Sequence, residues 1–201
     1  MSDTKKESKK VLLFLAQGFE DMEAVTILDV MGWTEYKDHI PRVKVVTCGF
    51  HPEVHGRFGL VISPDIPIED IDFREYDALA LPGGFHSHGY DEVYDPRIHK
   101  LIRTIHSNGG IIATMCVGIL PVAEAGILKG KRATSYPYSR NHDNLGKLRQ
   151  YGALISEENV VMDDRIISCA GPGSSLEVAF LLLDMLIGRE YMEEVNGLMI
   201  C

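Results

Sequence analysis

Short, continuously apolar runs alternate with segments of helical periodicity along most of the chain, and no other feature narrows the possible folds as much. Residues 11–16 are apolar at successive positions, where a strand with one wet face would alternate, residues 42–48 and 77–81 read similarly, and residues 111–115 read as another strand. Such strands need cover on both faces, and the segments between them are long enough to cross back over a sheet. The predicted class is α/β, a mostly parallel central sheet between layers of helices.

The connecting segments support this. Ile98, Leu101, Ile102 and Ile105 fall at i, i+3, i+4 and i+7, with Asp95 placed to cap the helix, Pro96 at its first position and Asn108, Gly109 and Gly110 to end it. A second helix is predicted over residues 117–125. Residues 160–162 and 165–168 flank Asp163 and Asp164, which reads as a two-residue hairpin turn at a sheet edge. Gly171, Pro172 and Gly173 lead into Ser174-x-x-Glu177, a capping box, and then into an almost wholly apolar helix that Gly188 stops. A helix apolar on nearly every side must be buried by the core or by a partner subunit.

Composition excludes several classes of function. The 201 residues carry 20 Lys and Arg against 29 Asp and Glu, a net charge of −9, and beyond the N-terminal lysines the local basic footprint is the short Lys129, Lys131 and Arg132 cluster. Nucleic acid is not an expected partner. With 45% hydrophobic and 24% charged residues the chain reads as one globular domain over residues 10–201 behind a solvated tail, residues 1–9. Lys5, Lys6, Lys9 and Lys10 before residues 11–16 imitate a signal peptide, but the apolar run is too short and meets Gln17, Glu20 and Asp21. The longest apolar stretch, residues 178–183, is too short to span a bilayer, so no membrane partner is expected. Four cysteines, Cys48, Cys116, Cys169 and Cys201, form no C-x-x-C pair, and a reducing cytoplasm fits their scatter.

Cys116 stands where the strand of residues 111–115 hands over to a helix. A nucleophile at such a corner lies at the carboxyl edge of the sheet, faces the positive end of the helix and has backbone N–H groups nearby for an oxyanion. A buried structural thiol fits the local sequence equally well.

Three further strings, taken with this corner, resemble the DJ-1/ThiJ/PfpI superfamily from about residue 10 to 195. The run Ala16-Gln17-Gly18-Phe19-Glu20-Asp21-Met22-Glu23 is similar to the family's first strand and the acidic helix start with its glutamate. Leu81-Pro82-Gly83-Gly84 resembles its glycine turn, and Ala170-Gly171-Pro172-Gly173-Ser174-Ser175-Leu176-Glu177 its late helix start. The resemblance implies a flavodoxin-like three-layer sandwich of the class I glutamine amidotransferase type, commonly a homodimer. It implies Cys116 as nucleophile, Glu23 as its partner carboxylate, and the N–H groups of Gly84 and Val117 as oxyanion donors, with no cofactor and no metal. A protonated glutamic acid can donate to a thiolate and lower the thiol's pKa. A free thiol near pKa 8.5 is only about 3% ionised at pH 7, so a fall of two to three units would make the reactive form dominant.

The chain departs from the family pattern in two places. Thr134-Ser135-Tyr136-Pro137 stands where glyoxalase-active members carry T-x-H-P, and the phenol of Tyr136 is a poor proton shuttle at neutral pH. Val117 follows the nucleophile where the protease-like branch has His, which argues against peptidase activity. His86 and His88, in the loop after Gly83 and Gly84, are candidates to replace the missing base; two solvated loop histidines are the alternative, and spacing places no third metal ligand beside them. His51, His55, His99, His106 and His142 read as surface or packing residues. Trp33 and Tyr36, in the stretch 32–41, suit a dimer contact, a wall of the active site or ordinary packing.

The expected function is addition of the Cys116 thiolate to a small 2-oxoaldehyde such as methylglyoxal, with Glu23 relaying a proton as the adduct rearranges and hydrolyses; hydratase chemistry belongs to the same class. The alternative is a redox-responsive stress or chaperone-like protein whose Cys116 oxidises to a sulfinate. A role in thiamine-precursor metabolism rests on names within the family alone.

Overall fold

The structure, a computed structural model, describes residues 8–200. Residues 1–7 of the expected tail and Cys201 lie outside the described residues. Eleven strands appear among those described: β1 (Lys9–Phe14), β2 (Val43–Gly49), β3 (Val54–His55), β4 (Val61–Ile62), β5 (Ile66–Pro67), β6 (Ala78–Leu81), β7 (Ile111–Thr114), β8 (Arg132–Ala133), β9 (Leu154–Ile155), β10 (Val160–Asp163) and β11 (Ile166–Cys169). The α-helices are α1 (Asp21–Gly32), α2 (Pro96–Ser107), α3 (Leu120–Glu124), α4 (Asn144–Gln150), α5 (Ser175–Ile187) and α6 (Arg189–Leu198).

Seven strands form one sheet in the order β10-β11-β7-β6-β1-β2-β5, parallel throughout except for the β10–β11 hairpin at one edge. The central strands are buried on both faces, as their unbroken apolar runs require. Alternate residues feed two cores. Leu12, Phe14, Leu79, Leu81 and Ile112 pack under α2, α3 and α4, whereas Val11, Leu13, Ala80, Ala113 and Ile167 pack under α1, α5 and α6. On α2 the four isoleucine and leucine positions read from the sequence are the buried ones, and Asp95 caps the helix by accepting the Arg97 N–H. Each such side chain contributes roughly 1.5–3 kcal/mol through burial. On α5, Val178, Ala179, Leu182 and Leu183 are fully buried, while Phe180 and Leu181 are only partly covered.

Four local expectations need correction. The first strand starts at Lys9, inside the stretch assigned to the tail, because the Asp77 carboxylate accepts both Lys9 Nζ, at 2.9 Å, and the Lys10 N–H, at 2.8 Å. The hairpin turn is Asp164-Arg165, one residue later than expected, since Asp163 pairs with Ile166 and Asp164 takes the left-handed conformation, φ 57°. No capping box forms at Ser174; residues Pro172–Ser174 tighten into a 3-10 turn and α5 starts at Ser175. The helix expected over residues 117–125 begins only at Leu120, after a 3-10 turn spanning Cys116–Ile119.

Candidate active site

Three separate stretches of chain meet at the carboxyl edge of the sheet, beyond β1, β6 and β7. Glu20 caps α1, its Oε2 accepting the Glu23 N–H at 2.8 Å. The Glu20 N–H donates to the Gly83 carbonyl at 2.9 Å, and the Gly83 N–H donates to Glu23 Oε2 at 2.6 Å. The start of α1 is thereby laced to the turn after β6, and the Glu23 side chain is directed inward and fully buried. Because Glu20 does the capping, Glu23 is not a wet helix-start charge.

The corner at Cys116 follows from the local backbone. Met115 is still extended, Cys116 sits in the left-handed region at φ 52°, and the chain then tightens into the 3-10 turn. That conformation costs a non-glycine residue about 1–3 kcal/mol, held here by surrounding packing. Gly118 makes the tight turn possible, since a Cβ there would strike the Leu81 carbonyl oxygen. Gly83 permits the approach from the other side. A Cβ on it would lie 2.7 Å from Cys116 Cβ and 3.1 Å from Glu23 Oε2, so the two residues flank its bare α-carbon.

The electrostatics revise one expectation. Burial pushes the Glu23 carboxyl up to about 8, against the Gly83 N–H, which favours the ionised form. Its second oxygen, Oε1, is buried with no hydrogen-bond partner. Burial, and then any charge on Glu23, also push the Cys116 thiol up, while the Val117 N–H facing the sulfur acts the other way. Burial thus favours the protonated form of both groups and works against the resting thiolate expected from the sequence. Raising the pH first removes one proton from the pair, and the two groups share the resulting charge.

A cavity of about 530 Å³ opens onto Cys116. Gly84, Val117, Tyr136 and His86 line it, and among the described residues the Gly84 N–H has no acceptor, which leaves it free for an oxyanion. His88 is not brought there; it stays exposed, with Nδ1 2.9 Å from Ser87 Oγ. His86 is held more firmly, with Nδ1 2.6 Å from Asp91 Oδ1 and its ring stacked 6.0 Å from that of Tyr94. In the neutral ring Nδ1–H donates to the carboxylate, so Nε2 is left as the basic nitrogen. Trp33 packs against the α1, α5 and α6 layer, Tyr36 is exposed, and neither lines the cavity.

The sequence reading missed four residues here. Glu20 lines the cavity as well as capping α1. His142, read as surface or packing, lines it too, its ring 4.6 Å from that of His86. Asp91 orients His86; the i, i+5 spacing inside a loop gave no periodic signal for it. Cys169, which the sequence placed in no C-x-x-C pair, ends β11 beside the corner, and the Cys116 backbone N–H faces its sulfur. Among the described residues no group of three or more His, Cys, Asp or Glu side chains is arranged to hold a metal ion.

Residues 9–185 match the family model described as the DJ-1/PfpI family. The chain belongs to that family. It is 31% identical to Protein DJ-1alpha of Drosophila melanogaster over 99% of this chain and 87% of the relative. It is 29% identical to the glutathione-independent glyoxalase DJR-1.2 of Caenorhabditis elegans, over 66% of this chain and 67% of that protein. The crystal structure of Drosophila melanogaster DJ-1beta superposes with a TM-score of 0.83 at 28% identity, covering 96% of this chain and 98% of that one. The fold is accordingly the flavodoxin-like, class I glutamine amidotransferase-like sandwich of the DJ-1/PfpI family.

Proposed function

We propose that this DJ-1/PfpI chain converts small 2-oxoaldehydes to hydroxy acids through a covalent adduct on Cys116. The observation that carries the reading is the buried Glu23 carboxyl, with one oxygen on the Gly83 N–H and the other unpartnered, flanking the same glycine as Cys116. With its pKa near 8, about a tenth of Glu23 is ionised at pH 7, enough to act as a base. The carboxylate takes the thiol proton as sulfur adds to the aldehyde carbon, and the N–H groups of Gly84 and Val117 hold the alkoxide. Glu23 then returns a proton as hydrogen shifts from the former aldehyde carbon to its neighbour, leaving a thioester. Water cleaves the thioester, and His86, oriented by Asp91, is the base for that step. Methylglyoxal plus water gives lactate, so the conversion is redox-neutral and asks for no external electron carrier. The glyoxalase named among the relatives supports this substrate class. The same parts could add water to another polarised small molecule.

The test is methylglyoxal consumption by Cys116→Ser and Glu23→Gln proteins. Loss of turnover in both, by at least about 100-fold, is expected; unchanged turnover in either removes the mechanism. A homodimer is part of the same proposal, as is oxidation of Cys116 as a second reading, favoured by a thiol that opens onto a cavity.

A further inference from the structure

We propose that Cys169 is a resolving thiol for Cys116, so that the reduced chain also reduces hydroperoxides and ends in an intramolecular Cys116–Cys169 disulfide. The inference shares with the carbonyl reading only the premise that Cys116 is the reactive thiol. The two cysteines lie 53 residues apart in sequence, and the sheet brings them together. Strand β11 runs parallel to β7 with Ile166 opposite Ile112 and Ile167 opposite Ala113. Continuing that register sets Cys169 beside Met115, the residue before Cys116. Neighbouring strands stand roughly 4.8 Å apart, so Cys169 lies across the β7–β11 pairing and one residue along from Cys116. Contact is direct: the Cys116 N–H faces the Cys169 sulfur, whose thiol donates to the Gly171 carbonyl at 3.4 Å.

Exposure divides the labour. Cys116 opens onto the cavity, whereas Cys169 is fully buried behind it, so a peroxide meets Cys116 first. Cys48 is a free thiol as well, but it lies on β2, separated from β7 by β6 and β1. The ionised Cys116 sulfur attacks one oxygen of ROOH; the S–O bond forms, the O–O bond breaks and the leaving alkoxide takes a proton to become ROH. Sulfur has lost two electrons and the peroxide has gained them. The Cys169 sulfur then attacks the Cys116 sulfenic sulfur, the S–S bond forms, and hydroxide departs with the Cys169 proton as water. Burial pushes the Cys169 thiol up to about 11, so this second step should quicken as pH rises. An external dithiol restores both cysteines.

The experiment treats the full reduced chain with one equivalent of hydrogen peroxide, blocks remaining thiols by alkylation, and maps products by mass spectrometry. Wild type should lose two hydrogens and yield a peptide cross-linked through Cys116 and Cys169, reversed by dithiothreitol. Cys169→Ser and Cys169→Ala proteins, checked for folding by circular dichroism, should form no cross-link and accumulate Cys116 sulfinate roughly tenfold faster. Equal sulfinate accumulation in wild type and variants without cross-linking, or a disulfide from Cys116 to Cys48 or Cys201, would overturn the proposal. Methylglyoxal turnover of the same reduced wild-type sample separates the two readings: turnover without a disulfide defeats only the resolving thiol, and a disulfide without turnover defeats only the carbonyl chemistry.

Discussion

Glu23 is fully buried, and its cost depends on pH. The unfolded chain loses this proton near pH 4.5, while the folded chain keeps it up to about 8. The stability this group gives is therefore complete below about pH 4.5 and is lost progressively as pH rises through 8. At pH 7 the deficit is roughly 3 kcal/mol. Gln keeps an acceptor for the Gly83 N–H and has nothing to ionise. Glu23→Gln should thus raise the melting temperature at pH 7 and lose that advantage at pH 4; an equal advantage at both pH values would show that titration is not its source. The same ionisation predicts that kcat/KM for methylglyoxal rises with pH and levels off above about 8, because the reactive pair forms by losing one proton. A profile that falls over this range would exclude Glu23 as the base.

Between β7 and α3, the corner depends on glycines more than on the cysteine it presents. Gly118→Ala would drive a methyl group into the Leu81 carbonyl, which belongs to the sheet and cannot swing away. A loss of about 1–3 kcal/mol in denaturant unfolding is expected, together with a larger proportional loss of turnover. Gly197→Ala, in open space on α6, should be neutral or stabilising. These elements were legible to very different degrees. The core strands could be read because burial on both faces leaves an unbroken apolar run, and α2 because its buried stripe repeats at helical spacing. The Ser174 capping box failed because the preceding Pro172 and Gly173 let the chain close a tighter turn first. Glu23, Gly84 and Cys116 were legible as motif positions. Asp91, His142 and Cys169 were not, since their partners come from loops and from a strand pairing that no local pattern encodes.

Over the whole molecule, the sheet order explains why the site is where it is. The chain builds outward from β1 through β2 to β5, then returns to lay β6, β7 and β11 on the other side. Loops leaving β1 and β6 must part at that reversal, and a crevice at the carboxyl ends of the strands results. Glu23 follows β1, Gly83 follows β6 and Cys116 follows β7, so the candidate residues straddle the crevice. The proposed homodimer predicts a species of twice the 22.4 kDa chain mass in sedimentation velocity at micromolar concentration; a monomer throughout would remove it.

The pairing of β11 with β7 has a consequence for how the protein comes into being. The β10–β11 hairpin is made long after Cys116, and helix α5, which covers that face of the sheet, is made later still. A nascent or refolding chain therefore carries Cys116, the proposed nucleophile, before the strand that completes its surroundings has docked. Pairings between distant segments are the slow ones to form. In refolding from denaturant, the return of enzymatic turnover should coincide with the final spectroscopic phase, and a chain halted before the hairpin docks would expose Cys116 to oxidants with Cys169 not yet beside it.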